Sequence, residues 1–411
     1  MYPVDQPSPT LPPDGYKPFY ISHVGRHGAR YALGETVYAD ILNVFSDASG
    51  RGLLTERGEE FLRVYSEFYP QVAHREGELS LKGQEQLRQI ARQMYRDYPS
   101  VFDGPTHACA VSTHFHRVIA SMYSFLAEAR VLDPDFTFDA DYGLKYLPVL
   151  LPCGDDCPGR ITPRPFPEDV VREDREFYGK LVDVPGTLGV WFKDISGLGV
   201  DPEALLKDLH AVFSSFSCID AEVPEALWTM FSFEDRYLYW ERDNYRWYER
   251  FGRSPLVNDD FVEAIRGLAG DIIDKVPADW SDGVDLRLRF THDAALAPLL
   301  TLLDVNGMGV SVADRWQVKD YWRNFDIPMA CNLQIVFFRK GDETSRAGSA
   351  SLADSALPAA SASAVASASL AVASDDVLIQ VLLNGFEATL PLPPVSPGFY
   401  RWSDFVERFS Q

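Results

Sequence analysis

Three short apolar segments of this 411-residue chain each end in a cluster of polar residues. The segments are Pro18–Gly25, Ala108–Ser112 and Leu286–Phe290, and their aliphatic, aromatic and β-branched residues are typical of buried strands. A helical pattern of apolar residues follows the second and the third segment, over His116–Arg130 and Ala294–Leu303. Ligands of open α/β sheets bind beyond the carboxyl ends of the strands, so we expect the three polar clusters to converge there.

Further segments complete the predicted fold. Glu78–Tyr98 has helical periodicity, and Asn332–Arg339 and Val377–Leu383 are strong strand candidates. The Asn384-Gly385 pair after the last of these strands indicates a tight hairpin into Phe386–Leu390. We therefore predict an α/β fold with a mixed central sheet flanked by helices and a mostly helical inserted domain.

The predicted domain organisation is discontinuous. Residues 16–132 and 277–411 are expected to form the α/β core, and residues 133–276, rich in Trp, Tyr and acidic residues, a mainly helical insert or cap. Between the last two long strands, 20 of the 28 residues of segment 347–374 are Ala or Ser. Such a segment buries too little apolar surface to offset its ordering entropy, so we predict a flexible loop, with an Ala-rich helix as the alternative.

The charge of the chain limits its partners. With 38 Lys and Arg against 60 Asp and Glu, the net charge is −22, which argues against a nucleic-acid partner. A phosphorylated small molecule is not excluded, because surface charges beyond about 8 Å are largely screened at physiological salt. The sequence has no apolar run long enough for a transmembrane helix. The Pro-rich N-terminus lacks the layout of a signal peptide and fits either a cytoplasmic start or the mature end of an exported protein.

Five cysteines are too few and odd in number for a disulfide scaffold. Cys153 and Cys157 bracket a Gly-Asp-Asp turn, and two interpretations stay open: a small disulfide loop or two unrelated thiols. They also lack the further ligands that a zinc site needs.

The three polar clusters contain a coherent set of chemical groups. They are Val24–Tyr31, Ser112–Arg117 and Thr291–Asp293. Their convergence brings three guanidinium groups, two imidazoles and one carboxylate around one pocket: Arg26, Arg30, Arg117, His27, His292 and Asp293.

This set fits phosphate chemistry. Guanidinium groups match phosphate oxygens with planar pairs of donors and stay charged at any working pH. His27 lies between two of them and beside Gly28, and nearby positive charge disfavours its protonated form, so it is a candidate nucleophile. Asp293 can protonate a leaving alkoxide and then accept a proton from water, although an Asp before an apolar helix is also a common N-cap.

The motifs Arg26-His27-Gly28-Ala29-Arg30, Ser112-Thr113 with Arg117, and His292-Asp293 resemble those of the histidine acid phosphatases. This family includes phytases and multiple inositol polyphosphate phosphatases, and the resemblance covers most of the chain. It implies a metal-independent phosphoric monoester hydrolase without a cofactor, in which His27 is phosphorylated and Asp293 donates the proton. It implies that the phosphate is held by the remaining motif residues Arg26, Arg30, Arg117 and His292.

The chain also departs from the family pattern. The inositol polyphosphate phosphatases usually continue the first motif with Pro-Thr and carry a late His-Ala-Glu, whereas this chain has Tyr31-Ala32-Leu33 and His292-Asp293. Thr291 replaces the Gly that is common before the late His. The resemblance implies small substrates such as inositol or sugar phosphates, and a periplasmic or secreted protein.

Other interpretations of the same residues stay open. The chain is alternatively a catalytically weak phospholigand-binding protein of the same fold, or a metal-dependent hydrolase that uses His23, His114 and His116. A phosphoglycerate-mutase-like transferase needs an active-site Glu after the nucleophile, for which Glu35 is a weak candidate. An aromatic stripe is expected to be helix core, with one or two members free to face a substrate: Trp240, Tyr245, Trp247 and Tyr248.

Overall fold

The computed structural model describes residues 6–341 and 376–410. Its centre is an eight-stranded mixed sheet with the order β3-β2-β4-β1-β5-β6-β7, in which β8 pairs with β6. The first four strands of this order are parallel, and β5 to β8 extend the sheet with antiparallel pairs. The strands are β1 (Tyr16–Arg26), β2 (His107–Ser112), β3 (Thr137–Tyr142), β4 (Leu286–Thr291), β5 (Asn332–Lys340), β6 (Leu378–Leu383), β7 (Phe386–Glu387) and β8 (Phe399–Arg401).

Helices cover both faces of the sheet, which confirms the predicted fold class. No helix in the described ranges is long and apolar enough to cross a membrane. The helices are α1 (Val37–Gly50), α2 (Glu56–Phe68), α3 (Leu81–Asp97), α4 (His116–Leu132), α5 (Leu147–Leu150), α6 (Glu168–Leu181), α7 (Val184–Leu188), α8 (Pro202–Ser215), α9 (Glu225–Trp228), α10 (Phe233–Phe251), α11 (Asp260–Ala264), α12 (Arg266–Asp282), α13 (Asp293–Leu302), α14 (Val318–Tyr321) and α15 (Trp402–Phe409).

Alternation along β1 sends its side chains to two different cores. Ile21 packs with α3 and α4 in one hydrophobic cluster, whereas Tyr20 and Val24 pack with α10, α12 and α13 in another on the opposite face. Both clusters are continued by the neighbouring strands: β5 and β6 are largely buried and mostly apolar, whereas β4 alternates apolar residues with Arg287 and Arg289. The sheet is thus fixed between two helical layers.

A third hydrophobic cluster lies in the helical part of the molecule. It joins α1 and α2 to α8 and includes Trp191 and Phe192. β3 pairs with β2 just after the predicted boundary at residue 132, and α12 runs across the predicted boundary at residue 276. The division into a core and a cap stays a prediction.

The element boundaries follow the sequence pattern closely, with one exception. Asn384 and Gly385 both have a positive φ, of 56° and 81°, which confirms the tight hairpin. The strand after it ends at Glu387 rather than at Leu390, because the backbone N–H of Leu390 donates to the Tyr400 hydroxyl instead of to β6. The Ala/Ser-rich segment 347–374 lies outside the described residues. All five cysteines are free, including Cys153 and Cys157.

The first turn of α3 touches the loop that follows β1. A Cβ atom on Gly83 would lie 2.1 Å from the carbonyl oxygen of Ala29, and a Cβ atom on Gly28 would lie 2.4 Å from the carbonyl oxygen of Gly83. Only two glycines allow backbones to approach this closely. The contact fixes the loop that carries the first polar cluster against a rigid helix.

We expect Gly83→Ala to destabilise the protein by about 1–3 kcal/mol, because its methyl group would clash with backbone rather than with a movable side chain. Gly179→Ala in α6 is the matched control, since no atom lies within 4 Å of its Cβ position. There we expect a gain of about 0.5–1 kcal/mol from helix propensity. Urea unfolding of both variants checks the two signs, and a neutral Gly83→Ala would contradict the close packing.

Candidate active site

The three polar clusters meet at one edge of the sheet, as predicted from the strand ends. Arg26 lies beside Thr291 in the β1–β4 register, and Ser112 lies beside Phe290 in the β2–β4 register. Because these strands are parallel neighbours, the residues that follow them emerge side by side. All six predicted site residues are therefore brought to the same place.

His27 is held in a defined tautomer. Its side chain is buried, and Nδ1 lies 2.9 Å from the carbonyl oxygen of Gly28. A carbonyl oxygen only accepts hydrogen bonds, so Nδ1 carries the proton and Nε2 of the neutral ring keeps its lone pair. Nε2 makes no hydrogen bond to the described residues. The hydrogen bond of Nδ1 thus orients the imidazole ring, and the lone pair of Nε2 is available for reaction.

Neighbouring segments fix the backbone of the first cluster. The Arg26 N–H donates to the carbonyl of Cys331 at 2.7 Å, and the Ala330 N–H donates to the carbonyl of His27 at 2.9 Å. The Gly28 N–H donates to the Ser121 hydroxyl of α4 at 3.1 Å. These bonds tie the loop to two other elements, so its side chains are held in place before any ligand binds.

His292 links the second and third clusters. Nε2 lies 3.2 Å from the Thr113 hydroxyl, and Nδ1 lies 3.5 Å from a terminal nitrogen of Arg117. A guanidinium group has no acceptor, so Nδ1 is the unprotonated nitrogen and the Nε2 proton points to Thr113. The rings of His292 and His27 are edge to face, with centroids 5.5 Å apart.

Asp293 forms an ion pair with Arg26, with Oδ2 2.5 Å from Nη2. Burial alone would raise the pKa of the Asp293 carboxyl, but Arg26 and Arg30 outweigh it and hold the pKa below its ordinary value. Asp293 does not cap α13 as the sequence also allowed, since the N-cap position is His292 and carries no side-chain cap. Its other oxygen accepts the N–H of Ala294. In this state Asp293 is a carboxylate.

The three arginines retain unsatisfied donors. The Nε atoms of Arg26, Arg30 and Arg117 are all buried and have no hydrogen-bond partner among the described residues. Buried polar groups are nearly always paired in native proteins, so three unpaired guanidinium nitrogens around two histidines indicate a binding site for an anion.

The same crowding of cations lowers neighbouring pKa values. Burial, followed by Arg26 and Arg30, holds the pKa of His27 well below its ordinary range. Burial, followed by Arg117, lowers the pKa of His292 to about 3. Burial and Arg26 lower the pKa of Arg30 to about 10, which still leaves this guanidinium charged at neutral pH. Both imidazoles are therefore neutral in mild acid.

The three histidines that a metal-dependent hydrolase would use do not share one site. His23 is buried between Phe125 and Phe290 on β1, His114 pairs with Asp156, and His116 is exposed at the start of α4. They form no ligand group in the part of the chain that the structure describes. Glu35 is exposed before α1.

One group of metal-ligand type is present elsewhere. His107, Cys109 and Asp139 have donor atoms within 4.8 Å of one another. The group begins at the first residue of β2, roughly 17 Å along the strand from the residues that enter the site. It therefore lies outside the candidate active site.

Some residues of the site could not be identified from the sequence. Within the aromatic stripe of α10, Tyr245 and Tyr248 are buried core residues, whereas Trp247 and Trp240 line cavities. The guanidinium of Arg26 lies 6.0 Å from the ring of Trp247. The stripe has helical periodicity throughout, so only the position of α10 over the site distinguishes its wall residues from its core residues.

The unusual Thr291 has a structural role. Its side chain is buried and its hydroxyl donates to the carbonyl of Leu150 at 2.6 Å. The hydroxyl is thus satisfied away from the site, and Thr291 lies behind His292 without altering the arrangement of the charged groups.

Solved structures of several phosphatases share this fold. The chain superimposes on the multiple inositol polyphosphate phosphatase of Bifidobacterium longum in complex with phosphate with a TM-score of 0.69 and 16% identity, over 97% of this chain and 95% of that one. The phytase from D. castellii gives a TM-score of 0.67 and 13% identity, over 98% and 81%. The phytase from Citrobacter braakii gives 0.52 and 13%, over 96% and 97%.

The likeness to known proteins is found in the comparison of structures and not in the comparison of sequences. No family model matches the chain, and no curated protein matches it in sequence. The structural likeness over nearly the whole chain shows a shared fold, and it confirms the resemblance that the three motifs carry.

The neutral state of His292 can be measured. In protein with 13C-labelled histidine side chains, we expect the His292 resonance to stay constant from pH 7.5 to pH 5, because burial and Arg117 hold its pKa near 3. The variant Arg117→Gln should move the titration midpoint upward, since it removes a neighbouring positive charge. A midpoint close to pH 6.5 in the unaltered protein would contradict the site electrostatics.

Proposed function

We propose that this chain, which has the histidine acid phosphatase fold, is a phosphomonoester hydrolase acting through a covalent phosphohistidine. The observation that carries the proposal is the fixed tautomer of His27, whose Nε2 is unprotonated among three arginines with unsatisfied donors. A neutral imidazole among cations is a nucleophile with an adjacent site for the phosphoryl group. Its substrates are small phosphorylated molecules, with inositol and sugar phosphates among the candidates.

In the first step, Nε2 of His27 attacks phosphorus while the bond to the leaving oxygen breaks. Arg26, Arg30 and Arg117 bind the phosphoryl oxygens and neutralise the charge that develops on them. The leaving alkoxide takes a proton from Asp293. The products are the free alcohol, phosphohistidine and the Asp293 carboxylate.

Asp293 acquires that proton when substrate binds. In the free protein it is a carboxylate paired with Arg26. A phosphate group on Arg26 replaces this partner and adds negative charge beside the carboxyl, and both changes raise the pKa of Asp293. Substrate binding therefore converts Asp293 into the protonated form that acts as the general acid.

In the second step, water attacks the phosphohistidine and Asp293 accepts a proton from that water. The bond between phosphorus and Nε2 breaks, and His27 returns to its neutral tautomer. Phosphate leaves, Asp293 loses its proton to solvent, and its ion pair with Arg26 forms again. The cycle consumes one water and releases one alcohol and one phosphate.

We expect His27→Ala to lower kcat/KM for p-nitrophenyl phosphate by about 10³-fold or more, because no other group can form the covalent intermediate. His116→Ala is the matched control, since His116 is exposed at the start of α4, and it should retain full turnover. Phosphate release measured in both variants with and without EDTA checks the mechanism. Turnover that survives in His27→Ala and is abolished by EDTA would contradict it.

Asp293→Asn should affect substrates according to their leaving groups. We expect kcat/KM, which reports the phosphorylation step, to fall by about 10²–10³-fold with glycerol 2-phosphate, whose alkoxide needs protonation, and by less than about tenfold with p-nitrophenyl phosphate. The fall of kcat with rising pH should also disappear for glycerol 2-phosphate. The two substrates control for each other, because damage to the fold would lower both rates equally. Equal losses would exclude Asp293 as the general acid.

A further inference from the structure

A cavity of about 860 Å³ opens from the phosphate site. It meets that site at Arg26 and Ala29, and its walls come from the first turns of α3, residues 214–220, residues 324–329 and Trp247. Its size is in the range of sites that enclose most of a small ligand. The cavity therefore offers space, next to Arg26, for the group that is attached to a bound phosphate.

The charged groups of the cavity wall balance one another. The wall contains two cations, Arg26 and Lys82, and two carboxylates, Glu85 and Asp220. Asp220 accepts the N–H groups of Leu81 and Lys82 at the start of α3, at 2.8 and 3.2 Å, so its carboxylate is held in place. Beyond the phosphate site itself, the cavity therefore offers no net positive charge to a ligand.

Such a wall is poorly matched to an inositol ring with several phosphates. Each phosphomonoester carries about −1.5 to −2 near neutral pH, so a hexakisphosphate carries roughly −9 to −12. Only the phosphate at His27 meets the arginines of the site. The others would lose hydration beside Glu85 and Asp220 with Lys82 as the one cation of the wall beyond Arg26, which is unfavourable.

The remaining wall combines uncharged polar residues on α3 and residues 214–217 with an apolar and aromatic side around Trp247 and residues 325–329. Trp247 lies next to Arg26 at the mouth of the phosphate site. Phe325 lines the same cavity and is 55% exposed, so its ring is accessible to a ligand. It is flanked by the apolar Ile327, Pro328 and Met329. Aromatic rings contribute large contact areas and prefer stacked or edge-to-face partners.

The aromatic wall continues into a second cavity of about 520 Å³, which Phe325 also lines. There the ring of Trp240 lies 5.0 Å from the ring of Phe325. Trp240 and Trp247 are seven residues apart on α10 and so share a face of that helix. The three cations of this second cavity each have a partner within the protein. Lys319 pairs with Glu241 at 2.7 Å and Arg323 with Asp326 at 3.1 Å, while Nε of Arg236 donates to the carbonyl oxygen of Ser232 at 3.2 Å.

We propose that this cleft selects phosphomonoesters with an uncharged aromatic leaving group in preference to inositol polyphosphates. The inference rests on the proposed phosphatase function and narrows its substrate class. Trp247 stacks on the aromatic group nearest to the phosphate, and Phe325 adds aromatic surface to the same cavity. Trp247 is therefore a specificity-determining residue, whereas the reaction itself is carried out by the six residues at the strand ends.

The test compares kcat/KM for benzyl phosphate, glucose 6-phosphate and myo-inositol hexakisphosphate. Benzyl phosphate and glucose 6-phosphate both release primary alkoxides. They therefore differ more in the group attached to the phosphate than in the reactivity of the leaving oxygen. We expect benzyl phosphate to exceed glucose 6-phosphate, and the hexakisphosphate to be poorest by at least about tenfold. Trp247→Ala should lower the value about tenfold for benzyl phosphate but only about twofold for glucose 6-phosphate.

Two further variants complete the experiment. Trp316→Ala is the control, because Trp316 is 46% exposed and packs on Phe177 outside this cleft, so it should change none of the three values. Glu85→Lys reverses one wall charge at a partly exposed position, and it should raise kcat/KM for the hexakisphosphate several-fold while benzyl phosphate changes little.

The outcomes separate the two proposals. Hydrolysis with the hexakisphosphate as the best substrate, or equal losses for benzyl phosphate and glucose 6-phosphate in Trp247→Ala, would overturn the substrate class and leave the phosphatase function standing. No hydrolysis of any of the three, or of p-nitrophenyl phosphate, would overturn the phosphatase function and the substrate class with it.

Discussion

The parallel pairing of β1 and β2 with β4 is the constraint on which the candidate site depends. It places Arg26 beside Thr291 and Ser112 beside Phe290, so three segments far apart in the chain release their polar residues at one edge. A slip of one residue in β1 would turn its side chains to the opposite face of the sheet. The hydrophobic clusters on both faces exclude such a slip, because Ile21 and Tyr20 are fully buried on opposite sides. The fold thus secures the site geometry through apolar packing rather than through the site residues themselves.

The electrostatic character of the site follows from the charged side chains that the strand ends bring together. The chain carries a net charge of −22, yet three arginines with unsatisfied donors converge within it. Asp293 is the acidic partner that Arg26 has in the free protein. In the proposed cycle, substrate phosphate and Asp293 alternate as that partner, which links anion binding to protonation of the acid. Beyond the phosphate site the cavity wall has no net positive charge, and two aromatic side chains, Trp247 and Phe325, form part of it.

Much of this arrangement could be predicted from the sequence, because the decisive signals are local. An apolar run marks each buried strand, and the polar residues that follow it mark its carboxyl end, so the meeting of His27, Arg117 and His292 follows from an α/β sheet. Other features depend on contacts between distant segments and leave no such pattern. The approach of Gly83 to the loop at Gly28 is one, and the separation of Trp247 from the core residue Tyr248 is another. The union of α1 and α2 with α8 in one cluster is a third, since amphipathic helices do not specify their partners.

The proposed covalent intermediate can be sought directly. Asp293→Asn should release p-nitrophenol readily but hydrolyse the phosphoenzyme slowly, because water then lacks its base. Rapid mixing of this variant with p-nitrophenyl phosphate, followed by an alkaline quench, peptide mass spectrometry and 31P NMR, locates the phosphoryl group. We expect phosphate on Nε2 of His27 in a fraction that rises with the burst of p-nitrophenol. Phosphate on another residue, or turnover with no phosphorylated protein in the burst, would contradict it.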